Sequence, residues 1–255
     1  MLAVLAVALA AAFVAAPRML AGDFAGSRDL VEALRESFTG YWSSGDRDLS
    51  PDLERVVDYW FRYHLAKAAI AAVLLVVLVA LGTLVWKAFL KADGRGKRAA
   101  LASAGVLVTM LAVSSLLATM ANIQGAAAPY ASLLPMLTAG AEPTGTLDQV
   151  RQQLAGYPGA GGHTPPALEV MISDFARYHV AMAVIAAIVA AFLIAVSTML
   201  WIRFARTEPS AKRVLGSFGV LSALLSLAMI VIAVANTATA ADPAPALLAF
   251  FEGSW

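Results

Sequence analysis

The sequence predicts an all-α protein, a polytopic membrane helical bundle of five spans with an internal tandem repeat. Three observations carry this. The chain of 255 residues is 60% hydrophobic and 14% charged, where a soluble domain carries about a quarter charged residues. Its mean hydropathy is +0.76. Its charge is also unevenly spread: no Asp, Glu, Lys or Arg occurs over 68–86, 99–141, 178–202 or 214–241. A bilayer core of about 30 Å takes roughly 20 apolar residues as a helix. Without water to serve the backbone, helices are the form that Ala-, Leu- and Val-rich stretches adopt there.

The N-terminal stretch Leu2 to Ala16 is apolar but short. Val14-Ala15-Ala16 has the small residues of a signal-peptidase site, yet no Lys or Arg precedes the run. A retained first span is therefore expected. The domains are then residues 1–21 for the first span or an uncleaved signal-anchor, 22–135 for repeat unit 1 and 136–255 for repeat unit 2. Each repeat unit brings two further spans and its own external helices, a small extracytoplasmic layer.

The repeat shows in order. Trp60-Phe61-Arg62-Tyr63-His64 returns as Phe175-Ala176-Arg177-Tyr178-His179, 115 positions later. At the same spacing Pro51, Leu53 and Glu54 match Pro166, Leu168 and Glu169, Trp86 matches Trp201, and Lys97-Arg98 matches Lys212-Arg213. One residue then drops out, and Gly105, Asn122 and Pro129 match Gly219, Asn236 and Pro243. Each unit reads as an external amphipathic helix, a loop, a descending helix, a basic turn and an ascending helix that ends near its Asn. Both units run the same way, so this is a parallel repeat, which some transporters use without its implying transport.

Local signals fix the helix starts. Thr146 with Gln149 reads as a capping box ahead of Leu147, Val150 and Leu154. Ser50-Pro51 and Thr164-Pro165 read as an N-cap and a first-turn proline. The first of these long helices should reach Lys91, and Gly40 to Gly45 and Ala155 to Gly162 read as flexible connectors.

The turns set the orientation. Lys87, Lys91, Arg95, Lys97 and Arg98 face the lone acid Asp93 in one; Arg203, Arg206, Lys212 and Arg213 face Glu208 in the other. Short basic turns are cytoplasmic, and Trp86 and Trp201 at the same end fit an interfacial belt. The longer segments, which hold 13 of the 17 acids, and the C-terminus then lie outside.

Composition also excludes. A net charge of +1 gives no electrostatic case for nucleic acid as a partner. The absence of Cys removes disulfides, thiolate catalysis and cysteine metal sites. No glycine-rich phosphate loop or serine nucleophile elbow is present. No cofactor is expected.

The arginine–tyrosine–histidine triplets remain. Arg62, His64, Arg177 and His179, with Asn122 and Asn236, are the candidate binding residues, expected to gather at the outer membrane boundary. Guanidinium plus imidazole suits an anionic group such as a lipid phosphate, because arginine offers a fixed fork of donors. The plainer reading is a pair of interface anchors, and that is preferred. A divalent metal held by the two histidines with Asp174 or His163 is the least favoured. Lys67, a turn below His64, reads as a snorkelling side chain. Gly105, Val108, Ala112, Ser115, Thr119 and Asn122, with Gly219, Ser222, Ser226, Met229, Ala233 and Asn236, form a seam of mostly small residues, read first as a packing face and second as a pore lining.

The run from Arg62-Tyr63-His64 through Trp86 to Lys97-Arg98, then Ala121-Asn122-Ile123-Gln124-Gly125, resembles a group of uncharacterised multi-pass membrane proteins of high-GC actinobacteria. The Ala- and Arg-rich, Cys-free composition fits such a source. The resemblance implies a plasma-membrane location and no activity.

The leading functional expectation is a non-enzymatic membrane protein binding lipid headgroups, a partner membrane protein or a second copy through its outer face. The alternative is a small transporter or channel subunit with a passage lined by Ser222, Ser226, Thr119 and Asn122. The second alternative is an enzyme on lipid-linked substrates with His64 or His179 as general base, which requires a carboxylate such as Asp174 in hydrogen-bond reach of a histidine. No site residue is assigned as catalytic.

Overall fold

The computed structural model describes residues 1–22, 24–138, 145–157 and 164–254. Among them every regular element is a helix: α1 (Leu2–Ala21), α2 (Ser27–Ser44), α3 (Pro51–Lys91), α4 (Arg95–Ala127), α5 (Pro129–Thr138), α6 (Gly145–Ala155), α7 (Pro166–Arg206), α8 (Pro209–Ala241) and α9 (Pro243–Glu252). Five of these, α1, α3, α4, α7 and α8, are long and apolar enough to cross a membrane. The chain is therefore a multi-pass helical membrane protein, as expected. Lengths recur in chain order: α3, α4 and α5 have 41, 33 and 10 residues, and α7, α8 and α9 have the same.

The starts of the long helices are governed by proline. The Ser50 hydroxyl accepts the Leu53 N–H at 3.4 Å while its carbonyl accepts the Glu54 N–H at 2.8 Å, so Ser50 is the N-cap of α3 and Pro51 its first residue. In α7 the same duty falls one residue later than expected. The Pro165 carbonyl accepts the Glu169 N–H at 3.1 Å, and the helix opens on Pro166. Pro165 thus occupies the Ser50 position, and Thr164 is not the cap. Likewise α6 opens on Gly145, so Thr146 lies inside the helix rather than ahead of it.

Two expectations about helix ends are corrected. The ascending helices do not end at Asn122 and Asn236 but run five residues on, to Ala127 and Ala241. Nothing in those alanine-rich turns breaks a helix until Pro129 and Pro243, each of which then starts a short helix of its own. Gly40 is not in a connector either: α2 continues to Ser44 and stops at Gly45, which takes the left-handed conformation with φ of 71°. The other expected connector, Ala155 to Gly162, lies largely outside the described residues.

The chain forms two compact units whose boundaries fall inside the long helices. The first comprises Met1–Ala16, Lys67–Ala121 and Ala183–Val234. Its large side chains point outward: Val76 is 68% exposed, Ile188 64% and Phe192 67%. Its buried positions are mostly small, among them Ala71, Ala186, Ala190, Ser115, Ser197, Ser222 and Ser226. Apolar bulk outside and small residues inside are what hydrocarbon surroundings favour, because helices there gain from close backbone approach rather than from escaping water. Two serine hydroxyls bond across helices, Ser115 to the Ala71 carbonyl at 2.8 Å and Ser197 to the Gly219 carbonyl at 3.1 Å. The Trp86 ring lies against Gly105 and the Trp201 ring against Gly219, where an added Cβ would sit 2.8 Å and 3.1 Å from ring carbon. Within this unit the small-residue seam is a packing face. Lys67 stacks over the Phe13 ring of α1, with Nζ 4.6 Å from the ring centroid.

The second unit comprises Pro17–Ala66, Asn122–Met182 and Ala235–Trp255, and it is built the opposite way. Its core gathers large side chains, with Leu34, Tyr41, Leu53, Leu133, Leu168, Met171 and Leu247 almost wholly buried. Leu30, Leu34, Phe38 and Tyr41 recur at helical spacing and line the buried face of α2, as Leu147, Val150 and Leu154 do for α6. Here α2 packs on α5 and α6 packs on α9. Arg151 Nε donates to the Phe251 carbonyl at 2.9 Å, a cation at the carbonyl end of α9.

Burial has a consequence for alkaline pH. Burial first, then the Asp48 and Asp46 carboxylates, push the Tyr41 phenol up to about 12, against the opposing Arg47. An unfolded tyrosine ionises near about 10. The folded value is the higher one, so the contribution of Tyr41 is fully present below about pH 10 and is lost as pH rises through about 12. The melting temperature followed by circular dichroism should fall steeply across that window, and less steeply in Tyr41→Phe.

Candidate functional site

All six candidate residues fall within the second unit. His179, on α7, is buried, and its Nδ1–H donates to the Asn236 amide oxygen of α8 at 2.8 Å. Its ring meets the Phe175 ring one turn earlier edge-on, 4.6 Å between centroids at 63°. His64, on α3, meets Trp60 in the same way, 4.6 Å at 64°. The shared geometry comes from an aromatic residue four positions before each histidine, which a helix places on the same face.

Their polar contacts differ. His64 Nδ1 lies 3.1 Å from the Trp60 carbonyl, and its ring sits directly on the backbone of α4 at Gly125, where any Cβ would collide with it. Glycine is required there by close approach, not by backbone dihedral. The position corresponding to Gly125 in α8 is Thr239, so the repeat does not allow the same seat for His179.

The arginines sit outside this packing. Both are exposed; Arg62 Nε donates to the Asp58 carbonyl at 3.3 Å, and Arg177 Nη1 pairs with Asp174 Oδ1 at 3.3 Å. Asn122 is buried and Asn236 half-buried. Thus the structure joins His179 directly to Asn236 and commits Arg177 to Asp174, not to a histidine.

Two buried polar residues stand beside these. Asp174 receives the Ala131 N–H on Oδ2 at 2.8 Å. That amide belongs to the first turn of α5, so the carboxylate caps a helix start on a different element, where negative charge is favoured. Gln124, on α4, donates to the Tyr178 carbonyl of α7 at 3.2 Å. A capping box has a sequence spacing, but a cap supplied 43 residues away, or an amide reaching a carbonyl 54 residues away, has none. Asp174 was visible in sequence only as an acid beside the second triplet.

Asp174 also lines an open cleft of about 350 Å3 with Arg47, Tyr130, Ser173 and Arg177. Arg47 is paired with Glu169 at 3.0 Å, so both guanidinium groups of the cleft are already balanced by carboxylates. Among the described residues the partners of Asp174 are Ala131 and Arg177, and the acid–histidine pair that general-base catalysis requires is not formed. No three His, Asp or Glu side chains among the described residues converge as metal ligands; His163 lies outside them.

The Gly125 contact is testable. Gly125→Ala should destabilise the protein by about 1–3 kcal/mol through overpacking, and pairing it with His64→Ala should recover much of that loss. Thermal melts of the two single variants and the double variant check the coupling.

No protein-family model, curated protein or solved structure matches this chain.

Proposed function

We propose that this is a non-enzymatic membrane protein that holds anionic lipid headgroups through its arginine pair, Arg62 and Arg177. The observation that carries the reading is a duplicated surface pattern. Each arginine is exposed on a long helix, and one turn further on comes an exposed aliphatic residue, Leu65 at 52% and Val180 at 49%. A guanidinium one turn from exposed aliphatic surface suits the boundary between headgroups and acyl chains. Arg177, with its side chain 64% exposed, meets Asp174 through Nη1 alone, which leaves its other donors for a headgroup. The histidines and Asn236 serve the helices that carry this pair rather than a reaction. Ser222 and Ser226 are buried, and Ser115 bonds the Ala71 carbonyl of another helix, which favours this reading over a polar passage.

The orientation that goes with it puts the basic turns in the cytoplasm of a bacterial cell and the Arg62 and Arg177 ends of α3 and α7 outside. The chain has no Cys, which makes single-cysteine labelling clean. In intact cells a membrane-impermeant maleimide should label Ser43→Cys and Ser254→Cys and spare Lys97→Cys and Lys212→Cys. Labelling that separates Lys97 from Lys212 would break the parallel-repeat reading.

For the lipid contact, the purified protein is reconstituted in phosphatidylcholine vesicles with and without phosphatidylglycerol. Anionic lipid should raise the melting temperature of the wild type. Arg62→Ala with Arg177→Ala should reduce that gain by about 1 kcal/mol for each basic residue removed from an anionic surface. An equal gain in the double variant would refute the reading, and self-association that changes with these substitutions would favour a second copy as the occupant instead.

A further inference from the structure

The first unit holds a cleft of about 780 Å3, larger than the one beside Asp174 and different in character. It is formed by the last turns of α3 and the N-terminal halves of α4 and α8. Its walls are apolar, with Trp86, Phe89 and Phe218 as the aromatic residues. Trp86 meets Phe89 edge-on at 5.5 Å and Phe218 edge-on at 5.4 Å, so three rings from two helices form one surface. Phe218 reaches this wall beside Gly219, the close-approach position of α8.

Two guanidinium groups line the same cleft, Arg98 of α4 and Arg213 of α8. They occupy corresponding positions of the repeat, 115 residues apart. Both are exposed, and among the described residues neither forms an ion pair. Arg98 lies over the Phe89 ring at 5.2 Å, held against the aromatic wall rather than by an acid. The cleft beside Asp174 has its guanidinium groups neutralised; this one does not.

From this we infer an anionic phospholipid site: an acyl chain lies along Trp86, Phe89 and Phe218, and the headgroup phosphate is held by Arg98 and Arg213. The volume falls in the range of about 300–1,000 Å3 typical of small-molecule pockets, room for a headgroup and part of one acyl chain. Arginine provides the fork that matches phosphate oxygens, and basic pockets between spans are where anionic headgroups are retained. The surrounding unit exposes its large aliphatic side chains, so lipid has direct access to the cleft. The Arg62 and Arg177 pair is not part of this site.

Native mass spectrometry of the detergent-purified full chain, titrated with phosphatidylglycerol, phosphatidylcholine or inorganic phosphate, tests it. Wild type should retain phosphatidylglycerol in preference to phosphatidylcholine and show no retention of phosphate alone. Arg98→Ala with Arg213→Ala should weaken phosphatidylglycerol retention at least about tenfold, which is about 1.4 kcal/mol. Ala102→Phe, which fills the cleft and leaves both charges, should weaken it as well. Lys87→Ala with Lys97→Ala removes the same charge from the same turn region outside the cleft and should leave retention unchanged, as should Arg62→Ala with Arg177→Ala. Unchanged retention in the Arg98 and Arg213 variant, equal retention of both lipids, or loss only in proportion to net charge would each overturn the assignment. Circular dichroism of every variant separates lost binding from lost fold.

Discussion

A hydrocarbon environment offers no hydrogen bonds, and each span must therefore satisfy its own backbone. That constraint sets the long unbroken helices of this protein and keeps proline out of the interiors of α3, α4, α7 and α8. Pro51, Pro129, Pro166, Pro209 and Pro243 all stand at the first position of a helix, where a missing N–H costs nothing. Pro17 is inside α1, near its end. With the backbone settled, side chains decide only how helices meet, and the two units settle that question in opposite ways. One buries small residues and turns its aliphatic bulk outward; the other buries tyrosine, leucine and methionine as a water-surrounded domain does.

Much of this was legible in sequence because it is local. Charge-free runs marked four spans, and helical spacing picked out the buried face of α6. The Ser50 cap was readable because its partners lie three and four residues away. The short helices α5 and α9 were not read, since Pro129 and Pro243 entered only as matching positions of the repeat, beyond ascending helices expected to end near Asn122 and Asn236. The Thr164 cap failed for a related reason. Two prolines in a row leave the register open by one residue, and the duplicate copy at Ser50-Pro51 would have fixed it.

The candidate site was legible only in part. The triplets identified the right helices, and an aromatic residue four positions before each histidine was there to be read. How each histidine is engaged was not, because His64 depends on Gly125 and His179 on Asn236, contacts set by tertiary packing. The sequence suggested that duplication would gather one pair of arginines, Arg62 and Arg177. The pair that the fold brings to a common cleft is Arg98 and Arg213. Matching positions of a sequence are equivalent in kind, but which of them come near each other is decided by tertiary packing.

The two tryptophan–glycine contacts bear on biogenesis. Trp86 rests on Gly105 and Trp201 on Gly219, and in each case the partners are close along the chain, across a single turn. Each antiparallel helix pair thus carries its own clasp. A ribosome that has delivered Gly105 to the insertion machinery has already delivered Trp86, so the first pair can close while the second is still being synthesised. Neither clasp needs a residue of the other hairpin, so each pair can close before the cores that draw on both halves of the chain are complete.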